Sequence, residues 1–519
     1  MKTLFLFIVG LILATYPVGA YANPIKLEAE SAQYTHCEVQ SNSLYSGRKA
    51  LRLTQSDAKI AFSVDLAERG KYTLLVAGQG VGGEKVVNCT INGSTNTFRL
   101  NKYAEVEVGT FNLKTGTNSL IITPNWTWFE VDYIRLEPSA DALPFNISDR
   151  PVDPNATEAA CKMYGFLASN FGKKTISGMM TGEMPSSATD VTRHPDIAAL
   201  HQVSGRYPAL IGFDLMNATG KSENDSWFKA YTRSCINLAA DTYRRGGFPA
   251  FTWHWRDPSH ATGEFYTNST SMKISAAMDA QGQWNTSSAL YRQLIHDIDV
   301  VASYFLELQD QGVACIFRPL HEASGGWFWW GREGAAPFRQ LYHLIYHQLV
   351  DVRGVHNLIW VWNAGTDDHD WDPGQEYYDV VSADFYNDAY DYSCNSSTFE
   401  KLKALTAGRK IIALSENGPI PDIQAEIEEE AVWSWWMIWY NTWGGNYVEK
   451  TSAQEWKKCM TDPRTVTLEQ LHDGWNNYNA IAHPTLPIPP ADIYTLSGLR
   501  TERPIHGINI IRGKKVLIP

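Results

Sequence analysis

From about residue 155 onward the chain switches eight times from a short apolar run to an amphipathic or polar stretch, and that alternation restricts the folds open to it. The runs are KTISGMM, PALIGFD, FPAFTWHW, VACIFRPLHE, NLIWVWNAG, YDVVSADFY, KIIALSENG and VWSWWMIWYN. Most are apolar on both alternating faces, as strands covered on each side must be. Among the intervening segments, SALYRQLIHDIDVVASYFLELQ and PFRQLYHLIYHQLVDV repeat their apolar residues at helical spacing. Thr157 reads as the N-cap of a first helix that places Ala160, Met163, Tyr164 and Leu167 on one face. Eight β/α units over roughly 325 residues predict a (β/α)8 TIM barrel with long loops. A doubly wound open sheet is the alternative, but no Gly-rich nucleotide loop follows a strand.

The upstream pattern differs. Residues 23–138 carry short segments of period-two alternation separated by Gly, Asn and Ser, which predicts an all-β sandwich. A Pro- and Asn-containing stretch over 139–154 reads as a linker, and the barrel is expected over 155–483. Residues 484–519 follow a proline-rich break and read as a C-terminal β tail. Residues 1–22 combine Lys2, an apolar run from Leu4 to Ala14 and an Ala20-Tyr21-Ala22 site. These are the marks of a secretory leader, so the mature protein is expected to be exported: secreted, periplasmic or at a bacterial cell surface.

A net charge of −12 with both signs well mixed argues against a nucleic-acid or anionic-membrane partner, and no later stretch is apolar enough to span a membrane. Seven scattered cysteines offer no zinc spacing. Their odd number leaves at least one thiol free in a monomer, which is the expected state; Cys37 and Cys89 are one pairing open within the first domain.

In a barrel, chemistry sits at the C-terminal ends of the strands. Glu322 ends the fourth run and Glu416 the seventh, so both face one mouth. Ten of the nineteen tryptophans crowd at 253–255, 327–330 and 433–443. Indole faces pack well on pyranose rings, and two carboxylates beside them are what hydrolysis of a glycosidic bond needs, one as acid and one as nucleophile. No metal or organic cofactor is required for that step. A non-hydrolytic sugar-binding barrel is the competing reading, although such a protein needs neither carboxylate. Arg318 is expected to brace strand ends through bidentate bonds to carboxylates, and Asp214, Asp257 and Asp384 to fix loops.

Residues from about 155 to 480 resemble glycoside hydrolase family 26, chiefly β-mannanases and a retaining family of (β/α)8 barrels. RPLHEASGGWFWWG resembles the family's acid/base motif, which implies Glu322 as acid/base, His321 as the neighbour that orients it and Trp327 as a sugar-stacking ring. The two residues after the acid, Ala323 and Ser324, depart from the larger apolar residue and Asn expected there. ALSENG matches the nucleophile strand and implies Glu416 in that role. FTWHW implies His254 as a sugar contact, SADFYN implies Tyr386 as the hydrogen-bond partner of the nucleophile, and MIWYN implies Trp439 as a platform. Strand alternation sends Trp435 and Trp439 to one side and Trp436 to the other. The implied substrate is mannan, glucomannan or galactomannan, cut internally; family members also act on mixed-linkage β-glucan or β-1,3-xylan. KLEAES and TWFEVDYIRLEP make the first domain resemble carbohydrate-binding modules of family 35. That resemblance implies a structural calcium held by Glu28, Glu30 and Asp132, with Trp126 or Trp128 as ligand platform or core cap. The final segment resembles the short C-terminal β tails of secreted Bacteroidetes proteins, which can serve export or surface attachment; a small β appendage packed on the barrel is the equal alternative.

Overall fold

The computed structural model describes residues 24–139, 144–365 and 368–471, together with short backbone strands between 493 and 518. The expected leader lies outside the described residues.

The first domain is a sandwich of two antiparallel sheets. One runs in the order Cys37–Ser41, Lys49–Leu53, Phe129–Pro138, Gly70–Gly80 and Ala104–Leu113, with Ile25–Glu28 also paired to Phe129–Pro138. The other runs Gln33–Thr35, Lys59–Leu66, Gly116–Pro124, Lys85–Ile91 and Ser94–Leu100. The period-two pattern does what it predicts. In KIAFSVDL, Ile60, Phe62, Val64 and Leu66 turn inward to meet Leu51, Leu74, Val76 and Val131 in one core. Cys37 and Cys89 lie in different sheets, and all seven cysteines are unpaired.

The barrel strands are β1 (Thr175–Met180), β2 (Leu210–Asp214), β3 (Phe248–Trp253), β4 (Cys315–Pro319), β5 (Leu358–Asn363), β6 (Val380–Phe385), β7 (Ile411–Asn417) and β8 (Trp435–Ile438). Each apolar run of the sequence contributes one of them. They pair in parallel in chain order, and β1 closes the ring against both β8 and β2. Around them lie helices α1 (Glu158–Asn170), α2 (Pro195–Ser204), α3 (Ser226–Arg244), α4 (Ala289–Asp310), α5 (Ala335–His347), α6 (Ser396–Leu405), α7 (Ile423–Glu428) and α8 (Ala453–Thr461). Thr157 caps α1 by accepting from the Ala160 N–H, and the four residues expected on its inner face are buried. No described helix is long and apolar enough to cross a membrane.

The segment after the sandwich is laid against the barrel. Phe145 packs edge-on to Phe171 and Phe399, and the Val152 N–H donates to Asp379. Lys71 of the sandwich forms an ion pair with Glu400 of α6 at 2.7 Å, both side chains about nine-tenths buried. Of the C-terminal tail, four antiparallel strands are described: Ile493–Thr495, Arg500–Thr501, Gly507–Ile511 and Lys514–Ile518.

Trp360 on β5 fills the layer between sheet and helices, against Phe317, Tyr342 and Tyr346, and its indole N–H has no hydrogen-bond partner. Its contribution is therefore volume. Trp360→Ala should lower stability by about 3–5 kcal/mol. Trp360→Phe, with no lost hydrogen bond and a smaller void, should cost much less. Urea unfolding of the two variants checks this, and equal losses would contradict it.

Candidate active site

The mouth of the barrel is organised around Arg318, which points inward from β4. Its Nη1 donates to Asp384 Oδ2 at 2.7 Å, and its Nη2 donates to Glu416 Oε1. All three side chains are exposed by 5% or less. Burial works against the guanidinium charge, yet the carboxylates of Asp384 and Glu416 raise its pKa above the ordinary range. Glu416 reaches this position through a one-residue register shift: Ala383 of β6 pairs with Leu414 of β7, but Asp384 pairs with Glu416, leaving Ser415 unmatched. Such a shift re-aims a side chain at a strand end. The second oxygen of Glu416 accepts from the Tyr386 hydroxyl at 2.6 Å, the contact expected from SADFYN.

Glu322 stands across the mouth. β4 ends at Pro319, and Leu320 and Glu322 both take a left-handed backbone (φ 52°). That region is costly for residues with a Cβ and persists only where the surroundings enforce it. Here the Glu322 N–H donates to Asn363 Oδ1 at 2.7 Å, and the Trp327 indole N–H donates to Glu322 Oε2 at 2.9 Å. Gly325 permits the second contact, since a Cβ there would lie 2.1 Å from the Trp327 ring. Burial, then the charge of Glu416, raises the Glu322 pKa above the usual carboxyl range. One carboxylate oxygen each of Glu322, Asp384 and Glu416 lies within 4.8 Å of the others.

The two histidines form a separate chain. His254 Nδ1 lies 2.6 Å from Asp214 Oδ2, so this nitrogen carries a proton, and His254 Nε2 lies 3.1 Å from His321 Nε2. His321 Nδ1 in turn meets the Thr252 hydroxyl at 3.3 Å. Burial, His254 and Arg318 all hold His321 well below the ordinary imidazole pKa, so it is neutral. Its hydrogen bonds run to His254, Thr252 and, through its carbonyl, Trp330; the Glu322 side chain is held by Trp327. Trp439 follows β8, half-buried against His254. Trp435 lines the barrel interior while Trp436 packs outward on Trp456 of α8, as alternation requires. Trp327, Tyr386 and Tyr266 expose ring faces around the opening. Asp257 is a loop anchor, accepting from Ser259 and Thr270.

Residues 152–470 match the model of glycosyl hydrolase family 26, well over half of the chain. The chain belongs to that family. Residues 25–139 match carbohydrate binding module (family 35). A relative from Thermothelomyces thermophilus, named a mannan endo-1,4-beta-mannosidase, is 32% identical over 82% of this chain and 85% of its own length. One from Bacillus subtilis (strain 168) with the same name is 29% identical over 52% of this chain and 73% of its own. Among solved structures, the GH26-CBM35 beta-(1,4)-mannanase of Podospora anserina superposes with a TM-score of 0.59 at 30% identity, covering 87% of this chain and 99% of that one. A beta-mannanase from a symbiotic protist of the termite Reticulitermes speratus gives 0.57 at 36% identity, over 63% and 98%.

Family 26 hydrolysis needs no catalytic cofactor, and two of the three carboxylates at the mouth, Asp384 and Glu416, are already paired with Arg318. Glu223, His260 and Asp297 also bring potential ligand atoms within 4.8 Å of one another, but Asp297 is bonded to Trp255 and Gln293, and burial pushes its pKa up to about 7. In the module, Glu28 Oε2, Glu30 Oε2 and Asp132 Oδ1 are buried without hydrogen-bond partners, while Ser46 ties Glu28 to Asp132 through its hydroxyl and N–H. Trp126 and Trp128 are half-exposed at the module surface, so neither caps the core.

The causes acting on Glu322 are separable. Glu416→Gln should lower the Glu322 pKa by removing the facing charge, yet leave it above the ordinary glutamate value, because burial is the larger cause. Carbon-13 NMR titration of the side-chain carboxyls checks this. A fall to the ordinary value would show that charge outweighs burial at this carboxyl.

Proposed function

We propose that the chain is an endo-acting β-mannanase that cleaves β-1,4-mannosidic bonds of mannan, glucomannan or galactomannan with retention. The observation that carries this is the unlike pair Glu322 and Glu416, with carboxylate oxygens within 4.8 Å. That is the short separation of a retaining glycosidase, too close to seat a water between them.

The roles follow from the surroundings. Glu416 accepts from two donors, Arg318 and Tyr386, which suits a carboxylate that must stay ionised and attack the anomeric carbon. Glu322 is desolvated and faces another negative charge, so it keeps its proton to higher pH and protonates the leaving oxygen. In the second step Glu322, now ionised, deprotonates the water that breaks the glycosyl–enzyme bond, and the proton returns to it. His254, held by Asp214, and His321 behind it are assigned to the sugar-binding wall, with Trp327 and Trp439 as ring platforms. Activity requires the proton on Glu322, so it should fall as pH rises through that raised pKa.

Reducing-end release from mannan, galactomannan, lichenan and β-1,3-xylan tests the reading. We expect strong release from mannans, lost by at least about 10³-fold in Glu416→Ala, and NMR of the first product showing the β-anomer. Activity confined to lichenan or xylan would overturn the substrate, and an α-anomer the mechanism. No release by a folded protein would favour the non-hydrolytic alternative.

We further infer that the protein is exported, on its leader sequence, and that its module binds polysaccharide and holds calcium. The three orphaned oxygens of Glu28, Glu30 and Asp132 are the hard donors such an ion takes, and the ion would neutralise the excess charge of these carboxylates. Lys26 Nζ, 3.1 Å from Glu28 Oε1, does so only in part. Chelation should lower the unfolding temperature, since an ion at 100-fold its Kd adds about 2.7 kcal/mol. Asp132→Asn should remove the sensitivity to chelator. A melting curve unmoved by chelator in the intact protein would refute the ion.

A further inference from the structure

The two glutamates hang on one unbroken chain of hydrogen bonds, and Asn363 is the link next to Glu322. Asn363 ends β5, on neither of the strands that bear Glu322 and Glu416. Its Oδ1 accepts from the Glu322 backbone N–H at 2.7 Å, and its Nδ2 donates to Asp384 Oδ1 at 2.9 Å, with the Ser382 hydroxyl 3.3 Å away. Asp384 accepts from Arg318, and Arg318 donates to Glu416. The amide's orientation is forced, because a backbone N–H can only donate, which leaves Nδ2 to face Asp384. Asn363 is buried, and the Glu322 N–H it binds belongs to a residue in the left-handed region. Ala323 and Ser324, which follow Glu322, make no side-chain bond to it; the hold on the backbone comes from β5 instead.

We propose that Asn363 is a positioning residue: it keeps Glu322 in its left-handed turn and so aims the acid at the leaving oxygen. This rests on the assignment of Glu322 as acid. It assigns Asn363 a function apart from barrel stability, because only an aimed acid makes the rate depend on how much proton help the leaving group needs.

The test compares kcat/KM, which reports the glycosylation step, on mannopentaose and on a 2,4-dinitrophenyl β-mannobioside whose leaving group needs no proton. Asn363→Ala should lose about 10- to 100-fold on the oligosaccharide and under about threefold on the activated substrate, since misplaced general acid catalysis is lost only where it is used. Equal losses on both substrates, or none on either, overturn the proposal. Asn363→Asp, nearly isosteric, decides the matter if the alanine variant does not fold. The introduced carboxylate still accepts from the Glu322 N–H, so the variant's loss on mannopentaose should stay within about threefold of its loss on the activated substrate; a larger split overturns the proposal. Glu322→Ala on the same two substrates separates the two readings. If it too loses equally on both, the acid assignment itself fails. If it spares the activated substrate and Asn363→Ala does not, only the inference about Asn363 fails.

Discussion

Arg318 is the point on which the mouth of this barrel is built. Burying a guanidinium and two carboxylates costs several kcal/mol per ion, recovered only where the geometry is close to ideal. Arg318 meets that demand by giving one nitrogen to Asp384 and another to Glu416 from a single planar fork, which a lysine could not reproduce. The cluster still sets two carboxyl groups against one guanidinium before Glu322 is counted. That excess suits a reaction whose transition state develops positive charge on the sugar. It also adds to burial, the larger cause, in raising the pKa of Glu322 across the mouth.

The same residue type serves as acid and as nucleophile because each is reached by a different device. Glu416 remains on its strand and is turned into place by a one-residue register shift against β6. Glu322 lies beyond its strand, on backbone that turns left-handed twice within three residues. The first arrangement is held by the parallel ladder to β6, where Asp384 pairs with Glu416. The second has no ladder, so it relies on side chains from elsewhere: Asn363 on its N–H and Trp327 on its carboxylate.

Much of this was readable in the residues. The eight strands follow from apolar runs that recur at barrel spacing, and the inward set of Lys59–Leu66 follows from period two. Glu322, Glu416 and Tyr386 were readable as strand-end residues in recognisable motifs, and their meeting at one mouth is a consequence of topology. Three things were not readable. The pairing of His321 with His254 depends on how the ends of the neighbouring strands β3 and β4 line up, whereas a motif in which His precedes Glu suggested a contact within the motif. Asn363 carries the same strand-end signal as the others, in VWNAG, but an amide has no titration or charge to single it out. The connecting segment reads as a linker by composition, whereas Phe145 and Val152 dock it on the barrel. Composition describes what a segment can do alone and not what surface it meets.

The docking of the sandwich has a physical consequence for how the two domains act. A module on a flexible tether raises the local concentration of substrate but leaves its orientation free. Here the Lys71–Glu400 pair is largely desolvated, Asn112 donates to the Glu429 carbonyl, and a Cβ on Gly109 would approach the Ser397 hydroxyl to 2.7 Å. A buried ion pair is expensive to break by removing either partner. The close approach at Gly109 leaves no room for a side chain. Contacts of that kind hold one relative orientation, so a polysaccharide bound by the module would meet the catalytic mouth from a fixed direction rather than from a distribution of directions.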